Sequence, residues 1–164
     1  MSNTDNYYIR PLTASDLSLY RKMRLEALQT HPGFFGNSHA KEASMPEEQW
    51  LERLTNPDRC CFGLYSGNEL VGITGIVIED GKGYLTQSYI REQHRGSGLS
   101  RMLYQARINW AKEHGLKQLL VGHRASNVVS KAANQHFGFQ FSYTESRNWP
   151  DGGIEDMVYY VLEI

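Results

Sequence analysis

The chain has few of the features that mark secreted or membrane proteins. Its only cysteines are the neighbours Cys60 and Cys61, and adjacent cysteines rarely bond to each other because the disulfide would be strained. A reducing, cytoplasmic location is therefore expected. The sequence has no run of 18 apolar residues, so we expect no membrane span, and the polar residues 1–6 lack the apolar core of a signal peptide.

Excess charge of either sign is also missing. Lysine and arginine number 17 against 18 acidic residues, a net charge of −1, whereas proteins that bind nucleic acid present a broad basic face. We therefore expect no nucleic-acid partner. Positive charge is only locally in excess, over residues 91–107, which suits a small phosphorylated ligand. The six histidines have no metal-ligand spacing, so no metal site is expected.

Length and hydrophobic periodicity predict one mixed α and β domain over residues 1–164. The predicted order is β α α β β β α β α β β, with no repeats. Residues 31–45 contain proline, glycines and serines and are predicted to form a long loop. The predicted strands are 7–12, 60–65, 70–78, 84–90, 118–123, 139–143 and 157–162, and the predicted helices are 17–30, 46–56, 99–113 and 127–137. In the last helix we expect the inward face to hold Val129, Ala132, Ala133, His136 and Phe137.

The most informative segment is Gln93-His94-Arg95-Gly96-Ser97-Gly98-Leu99-Ser100, between a predicted strand and a predicted helix. Glycines there allow a tight turn that leaves backbone N–H groups uncovered, and the helix N-terminus adds partial positive charge. These are the parts of a diphosphate-binding loop. No Gly-Lys-Ser/Thr follows, which excludes a P-loop, and Arg101 occupies the third glycine position of the Rossmann fingerprint.

The chain resembles the GNAT superfamily of acyl-CoA N-acyltransferases. Gln93-His94-Arg95-Gly96-Ser97-Gly98 matches that family's Gln/Arg-x-x-Gly-x-Gly/Ala signature, and Asn127, Ser130 and Gly138-Phe139 match a second cue at family-like spacing. The resemblance implies an α/β fold with a mostly antiparallel mixed sheet of about seven strands and four helices. It also implies that the fourth and fifth strands splay apart.

The resemblance implies acetyl-CoA as the cofactor. The 93–100 loop would hold its diphosphate, backbone of residues 88–90 would pair with its pantetheine arm, and Asn127 would hydrogen-bond to that arm. The implied cofactor-binding residues are Ser88, Tyr89, Ile90, Gln93, His94, Arg95, Gly96, Ser97, Gly98, Leu99, Ser100, Asn127 and Ser130.

The catalytic groups are less determined by the sequence. In many relatives a tyrosine four residues before the Gly-Phe glycine protonates the leaving thiolate, but Asn134 stands there and cannot titrate. Tyr143 or Tyr89 is the alternative acid, or the thiolate leaves unprotonated. His123, at the end of the fifth strand, is our first choice of base because it titrates near neutrality; a structural histidine is the competing interpretation. Weaker candidates are Glu79 or Asp80 as the base, a water chain, and Cys60 or Cys61 as a nucleophile.

These residues predict an N-acetyltransferase that moves an acetyl group directly to a primary amine of a small molecule or peptide in a ternary complex. The alternative is a GNAT-like module that binds CoA or another ligand without turnover, which Asn134 favours. The acceptor surface is expected in residues 31–45 and 144–153, with Phe34, Phe35, Tyr143 and Trp149 as candidate lining. A homodimer through the C-terminal strand, which carries Tyr159 and Tyr160, is also possible.

Overall fold

Seven strands form one sheet in the order β1-β2-β3-β4-β5-β7-β6 in a computed structural model that describes residues 6–164. All neighbouring strands are antiparallel except the parallel pair β4 and β5, which confirms the predicted mostly antiparallel sheet. The last two strands are longer than predicted. The strands are β1 (Tyr7–Pro11), β2 (Arg59–Ser66), β3 (Glu69–Glu79), β4 (Lys82–Ile90), β5 (Gln118–Arg124), β6 (Gln140–Asn148) and β7 (Ile154–Glu163).

The described residues contain five α-helices rather than four. The helices are α1 (Leu17–Thr30), α2 (His39–Ala43), α3 (Glu47–Thr55), α4 (Ser100–Glu113) and α5 (Val128–His136), with single 3-10 turns at Ala14–Asp16 and Glu92–His94. The additional helix, α2, falls inside the segment 31–45 that the sequence predicted as a loop. Five residues are too few to show a helical period, and α2 is instead fixed by its buried Glu42, which pairs with Arg24 and Arg53.

Helices cover both faces of the sheet. Tyr20 of α1 and Trp50 of α3 are fully buried in one cluster with Ile73 of β3. Tyr104 of α4 packs in a second cluster with Ile76, three residues further along β3 and therefore on the other face. None of the helices within residues 6–164 combines the length and the apolarity that a membrane crossing requires.

The predicted inward face of α5 is wrong in part. Val129 is 75% exposed, and Ala132 and His136 also face outward. The inward positions are Ala133, Asn134 and Phe137. Asn134, which the sequence singled out only because it stands where many relatives carry a tyrosine, has a side chain that is almost completely buried.

The segment β4–α4–β5 creates the opening on which the site depends. The two parallel strands pair only at Gly83↔Leu119 and Tyr84↔Leu120. Beyond those pairs β4 continues to Ile90 and β5 to Arg124 with no ladder between them. The strands thus separate toward their carboxyl ends, as predicted, and the α4 N-terminus lies at the open end.

Candidate active site

A cavity of about 320 Å³ lies beside the carboxyl end of β4, where that strand no longer pairs with β5. Its walls come from both faces of the sheet, because the segment after α1, strand β4, and helices α4 and α5 all contribute. It is lined by His31, Phe34, Phe35, Ser88, Tyr89, Ile90, Arg95, Ser100, Leu103, Tyr104, Arg107, Asn127, Val129, Ser130 and Ala133. The cavity lining therefore combines residues from elements that pack on different faces of the sheet.

The predicted diphosphate loop is an array of free donors. Gly96 and Gly98 have φ values of +82° and +74°, the left-handed region that favours glycine. Within residues 6–164, the backbone N–H groups of residues 96–101 donate to no acceptor. Six consecutive unpaired N–H groups at a helix N-terminus form an anion-binding site, so the residues present fit the diphosphate of CoA.

The remaining side chains of the loop have distinct positions. His94 Nδ1 shares a hydrogen bond of 2.8 Å with the Tyr7 hydroxyl, and Leu99 is buried in the core. Gln93 and Ser100 are exposed. Arg95 folds over the cavity, because its Nε donates to Ile90 O at 2.7 Å and its Nη2 lies 2.9 Å from His31 Nε2.

Strand β4 carries a bulge beside the cavity. Thr86 pairs with Gly75 and Tyr89 with Ile73, so β4 has one more residue than β3 over this stretch. Gln87 has a φ of +58°, and the Tyr20 hydroxyl donates to its Oε1 at 2.5 Å. A bulge of this kind leaves backbone groups outside the ladder, next to Ser88 and Tyr89.

Asn127 and Ser130 form the opposite wall. The Asn127 side chain caps α5 by accepting a hydrogen bond from Ser130 N–H at 3.1 Å, which leaves its amide NH₂ available. Both residues line the cavity. The cavity lining thus brings these two residues together with the segment 88–90 and with Arg95 and Ser100 of the predicted diphosphate loop.

The three predicted catalytic residues are not brought together. His123 is 4% exposed, stacks on Tyr160 and contacts Arg124 O through Nδ1 at 2.7 Å; it does not line the cavity. Tyr143 lies on β6, stacked on Tyr159 and half exposed. Tyr89 lines the cavity, but its hydroxyl donates to Glu26 Oε2 at 2.9 Å, and burial together with that carboxylate raises the pKa of Tyr89.

The other nucleophile and base candidates also lie away from the cavity. Burial raises the pKa of the Cys60 thiol to about 12, so the thiol stays protonated, and Cys61 is buried in the core. Glu79 and Asp80 stand at the β3–β4 turn. Their positions favour the structural interpretation for all four residues.

Sequence reasoning missed His31, the one histidine that lines this cavity. Its ring stacks on Phe34 with centroids 5.3 Å apart, and Tyr89 lies at 6.0 Å. Burial and the neighbouring Arg95 lower the pKa of His31, which favours a neutral imidazole at physiological pH. The available signal was only its place at the start of the expected acceptor segment.

Tyr104 and Arg107 of α4 were also missed. The Tyr104 hydroxyl donates to Asn134 Oδ1 at 2.5 Å, so a tyrosine from another helix stands beside the position where relatives carry one. The guanidinium carbon of Arg107 lies 4.9 Å from the Tyr104 ring centroid. The sequence pattern of α4 is that of an ordinary amphipathic helix, and it does not distinguish these two residues from their neighbours.

The fold is shared with solved acetyltransferases. A ribosomal-protein-alanine N-acetyltransferase from Brucella melitensis is similar, with a TM-score of 0.79 and 22% identity, over 96% of this chain and 99% of that one. YncA from Salmonella typhimurium, solved with its cofactor acetyl-CoA, has a TM-score of 0.78 and 16% identity, over 97% and 94%. At these identities the likeness shows the fold.

A curated relative and a family model add sequence similarity. The chain is 25% identical over 89 residues to the uncharacterized N-acetyltransferase YobR of Bacillus subtilis strain 168. The matched segment covers 54% of this chain and 36% of that protein. The model of the acetyltransferase (GNAT) family, whose members use acetyl-CoA, matches residues 22–139. That match includes the glycine loop, the separated strands and α5. The chain belongs to the GNAT family of acetyltransferases.

Proposed function

We propose that the protein is an acetyl-CoA-dependent N-acetyltransferase that transfers acetyl directly to a primary amine of a small molecule or peptide. The observation that carries the proposal is the row of unpaired N–H groups at residues 96–101, placed at the open end of the β4–β5 cavity. When bound, acetyl-CoA supplies an activated acetyl thioester. Acetyl-CoA would be held by residues 93–100, residues 88–90, Asn127 and Ser130.

The amine must lose a proton before it can attack, since a lysine-type ammonium has a pKa of about 10. His31 is the proposed base because it lines the cavity and burial keeps it neutral. Its Nε2 is held by Arg95 in this structure. A diphosphate at the neighbouring loop would compete for that guanidinium and free the imidazole. A backbone N–H of Tyr89 or Ile90, next to the β4 bulge, would donate to the carbonyl oxygen.

The acceptor side of the cavity is apolar. Phe34, Phe35 and Val129 contribute the exposed or half-exposed hydrophobic surface, whereas Tyr143 and Trp149 do not line it. No carboxylate among the described residues lines the cavity either. The proposed acceptor is therefore an amine delivered on an apolar or peptide-like chain, rather than a polycation.

Thiol release tests this function. Acetyl-CoA would be incubated with a panel of small primary amines and peptides with free N-termini, and free CoA thiol followed over time. Transfer to at least one class of amine is expected. Thermal stabilisation by acetyl-CoA with no thiol release across the panel would instead favour the non-catalytic binding module, for which the buried Asn134 is the motivating observation.

We expect His31→Gln to lower kcat/KM on the order of 10²-fold, the usual contribution of a general base. Because the pKa of His31 is lowered, the wild-type rate should fall only as the pH drops below about 6.5. The variant should lose that dependence. The measurement is thiol release as a function of pH, with His136→Gln, exposed on α5, as the control.

His123→Gln tests the alternative that His123, rather than His31, is the base. If that variant abolishes the pH dependence and His31→Gln leaves it unchanged, the base is the histidine that the sequence favoured. The burial of His123 and its absence from the cavity lining predict the opposite result.

Two further features of the proposal concern the protein's surroundings. The adjacent Cys60 and Cys61 are both free thiols, which fits a reducing cytoplasm. The C-terminal strand β7, through which the sequence suggested a homodimer, pairs with β5 on one side and β6 on the other, and its Tyr160 is buried, so in the described part of the chain it has no free edge for a second copy. The edge strand is instead β6, which exposes Phe141 and Tyr143, and such an edge suits pairing with a second copy. Light scattering of the purified protein at several concentrations would test the homodimer.

A further inference from the structure

Arg107 is a buried cation without a counter-charge. Its side chain is 2% exposed, and its only hydrogen bond within residues 6–164 runs from Nε to Leu103 O at 3.0 Å. No acidic side chain of the described chain forms an ion pair with it. Burial lowers the pKa of Arg107 to about 10, so it is still charged at neutral pH.

The rest of the guanidinium faces the cavity. Arg107 lines the cavity together with Leu103 and Tyr104, about 10 Å along α4 from Ser100 at the 1.5 Å rise per residue of a helix. An unpaired buried charge costs several kcal/mol. Because burying Arg107 unpaired costs this much folding free energy, we expect a ligand bound in the cavity to supply the negative charge that pairs with it.

Two further buried polar atoms also have no hydrogen-bond partner among residues 6–164, and one of them belongs to Asn134, the partner of Tyr104. The Asn134 Nδ2 and His123 Nε2 atoms are buried without a hydrogen-bond partner in the described chain. Tyr104 links Arg107 to α5, because its ring contacts the Arg107 guanidinium and its hydroxyl donates to Asn134 of α5. A cation and a phenol ring thus line one part of the cavity wall, and the guanidinium N–H groups other than Nε, which bond to no atom of residues 6–164, are free to donate to an acceptor.

We propose that Arg107 and Tyr104 form the site that receives the sulfur of CoA and stabilises it as a thiolate. The inference rests on the proposed function. Transfer forms a C–N bond and breaks the C–S bond, whose electron pair leaves on sulfur, while the amine proton goes to His31 or water. The guanidinium supplies the positive charge that this sulfur then faces, which compensates for the untitratable Asn134.

Free CoA offers a direct readout, because its thiol resembles a model thiol with a pKa of about 8.5. We expect the thiol pKa of protein-bound CoA to lie at least about one unit below that value, a tenfold preference for the thiolate. It would be measured from the ultraviolet absorbance of the thiolate during a pH titration. Calorimetry should show CoA affinity rising with pH between the thiol pKa of bound CoA and that of free CoA, whereas desulfo-CoA affinity should not change.

Three variants assign the effect. Arg107→Met should return the bound thiol pKa to about 8.5 or above, Arg107→Lys should keep part of the depression, and Tyr104→Phe should reduce it. Arg21→Met, which removes an exposed arginine of α1, is the matched control and should leave the pKa unchanged. Because Arg107→Met removes a buried charge without adding volume, the fold should persist, and circular dichroism would confirm it.

Other titrating groups near the site also contribute to the pH dependence, and their contributions must be distinguished from that of the thiol. His31, Tyr89 and Arg95 line the same cavity, and His123 and Tyr160 stack behind α4 and α5 on β5 and β7. Difference titrations of CoA against desulfo-CoA cancel their contributions. An equal thiol pKa in wild type and Arg107→Met, with CoA bound to both, would overturn this proposal alone. Failure of wild type to bind CoA would overturn the proposed function as well.

Discussion

Gly96→Glu is expected to abolish acetyl-CoA binding while the fold persists. Gly96 has a φ of +82°, and a side chain added there meets open space. The substitution should therefore lower the free energy of unfolding only through the strain of a left-handed residue, by roughly 1–2 kcal/mol. The new carboxylate would stand among the N–H groups of residues 96–101 and oppose the diphosphate. We expect a loss of at least about 3 kcal/mol, on the order of 10²-fold in Kd, measured by calorimetry.

Gly81→Glu is a close control for this variant. Gly81 lies in the β3–β4 turn with a φ of +75° and also meets nothing within 4 Å, so both substitutions impose the same backbone strain and the same charge. Thermal unfolding should shift similarly for the two variants, and only Gly96→Glu should lose the cofactor. Unchanged affinity in Gly96→Glu, or an equal loss in Gly81→Glu, would remove the glycine loop from cofactor binding.

The local geometry of the glycine loop and of the elements beside it was predictable because its information is local. A strand, two glycines one residue apart and an amphipathic helix determine the geometry of residues 84–113 whatever the rest of the chain does. Asn127 could likewise be placed as the cap of α5 from its position before the helix. These elements depend on backbone conformation and on neighbours a few residues away.

The arrangement of His31, Tyr104 and Asn134 could not be predicted because its contacts join distant parts of the chain. His31 and Arg95 are 64 positions apart, and Tyr104 and Asn134 are 30 apart. His123 and His31 both stand at the end of a regular element, and only tertiary packing decides that one is covered by Tyr160 while the other lines the cavity. Spacing along the sequence contains no such information.

The α5 error has a related cause. Val129 was expected to be inward because valine is apolar, yet it is largely exposed and lines the cavity. Conversely, Arg107 and Asn134 are polar and yet almost completely buried. Ligand-facing surface thus reverses the usual relation between polarity and burial, so these errors fall at the functional site.

Glu42→Gln is expected to destabilise the protein by about 3–5 kcal/mol, the usual effect of removing one partner from a buried ion pair. Glu42 is fully buried. Its carboxylate accepts four hydrogen bonds of 2.9 Å, two from Arg24, one from Arg53 and one from Asn37. Glutamine keeps the volume but leaves both guanidinium groups without their anion. Chemical denaturation at pH 7 would measure the loss, with the exposed Glu113→Gln as control.

The pH dependence of this effect has a definite sign. Burial alone would raise the pKa of Glu42, but Arg24 and Arg53 outweigh it and lower the pKa to about 2, against about 4.3 in an unfolded chain. A lowered folded-state pKa stabilises the fold above the unfolded value, and that stabilisation is lost as the pH falls from about 4.3 toward 2. The difference in unfolding free energy between wild type and Glu42→Gln should therefore shrink over that interval. A constant difference would contradict the ion-pair explanation.

The same substitution should also separate the two sides of the active site. Glu42 orients Arg24, whose guanidinium carbon lies 5.1 Å from the ring centroid of Phe35, and Phe35 lines the acceptor side of the cavity. The cofactor loop makes no contact with this cluster through any hydrogen bond or ion pair of residues 6–164. Below its unfolding temperature, Glu42→Gln should therefore raise the KM for the amine while the Kd for CoA stays the same. Equal changes in both constants would mean that α2 supports the whole cavity rather than its acceptor wall.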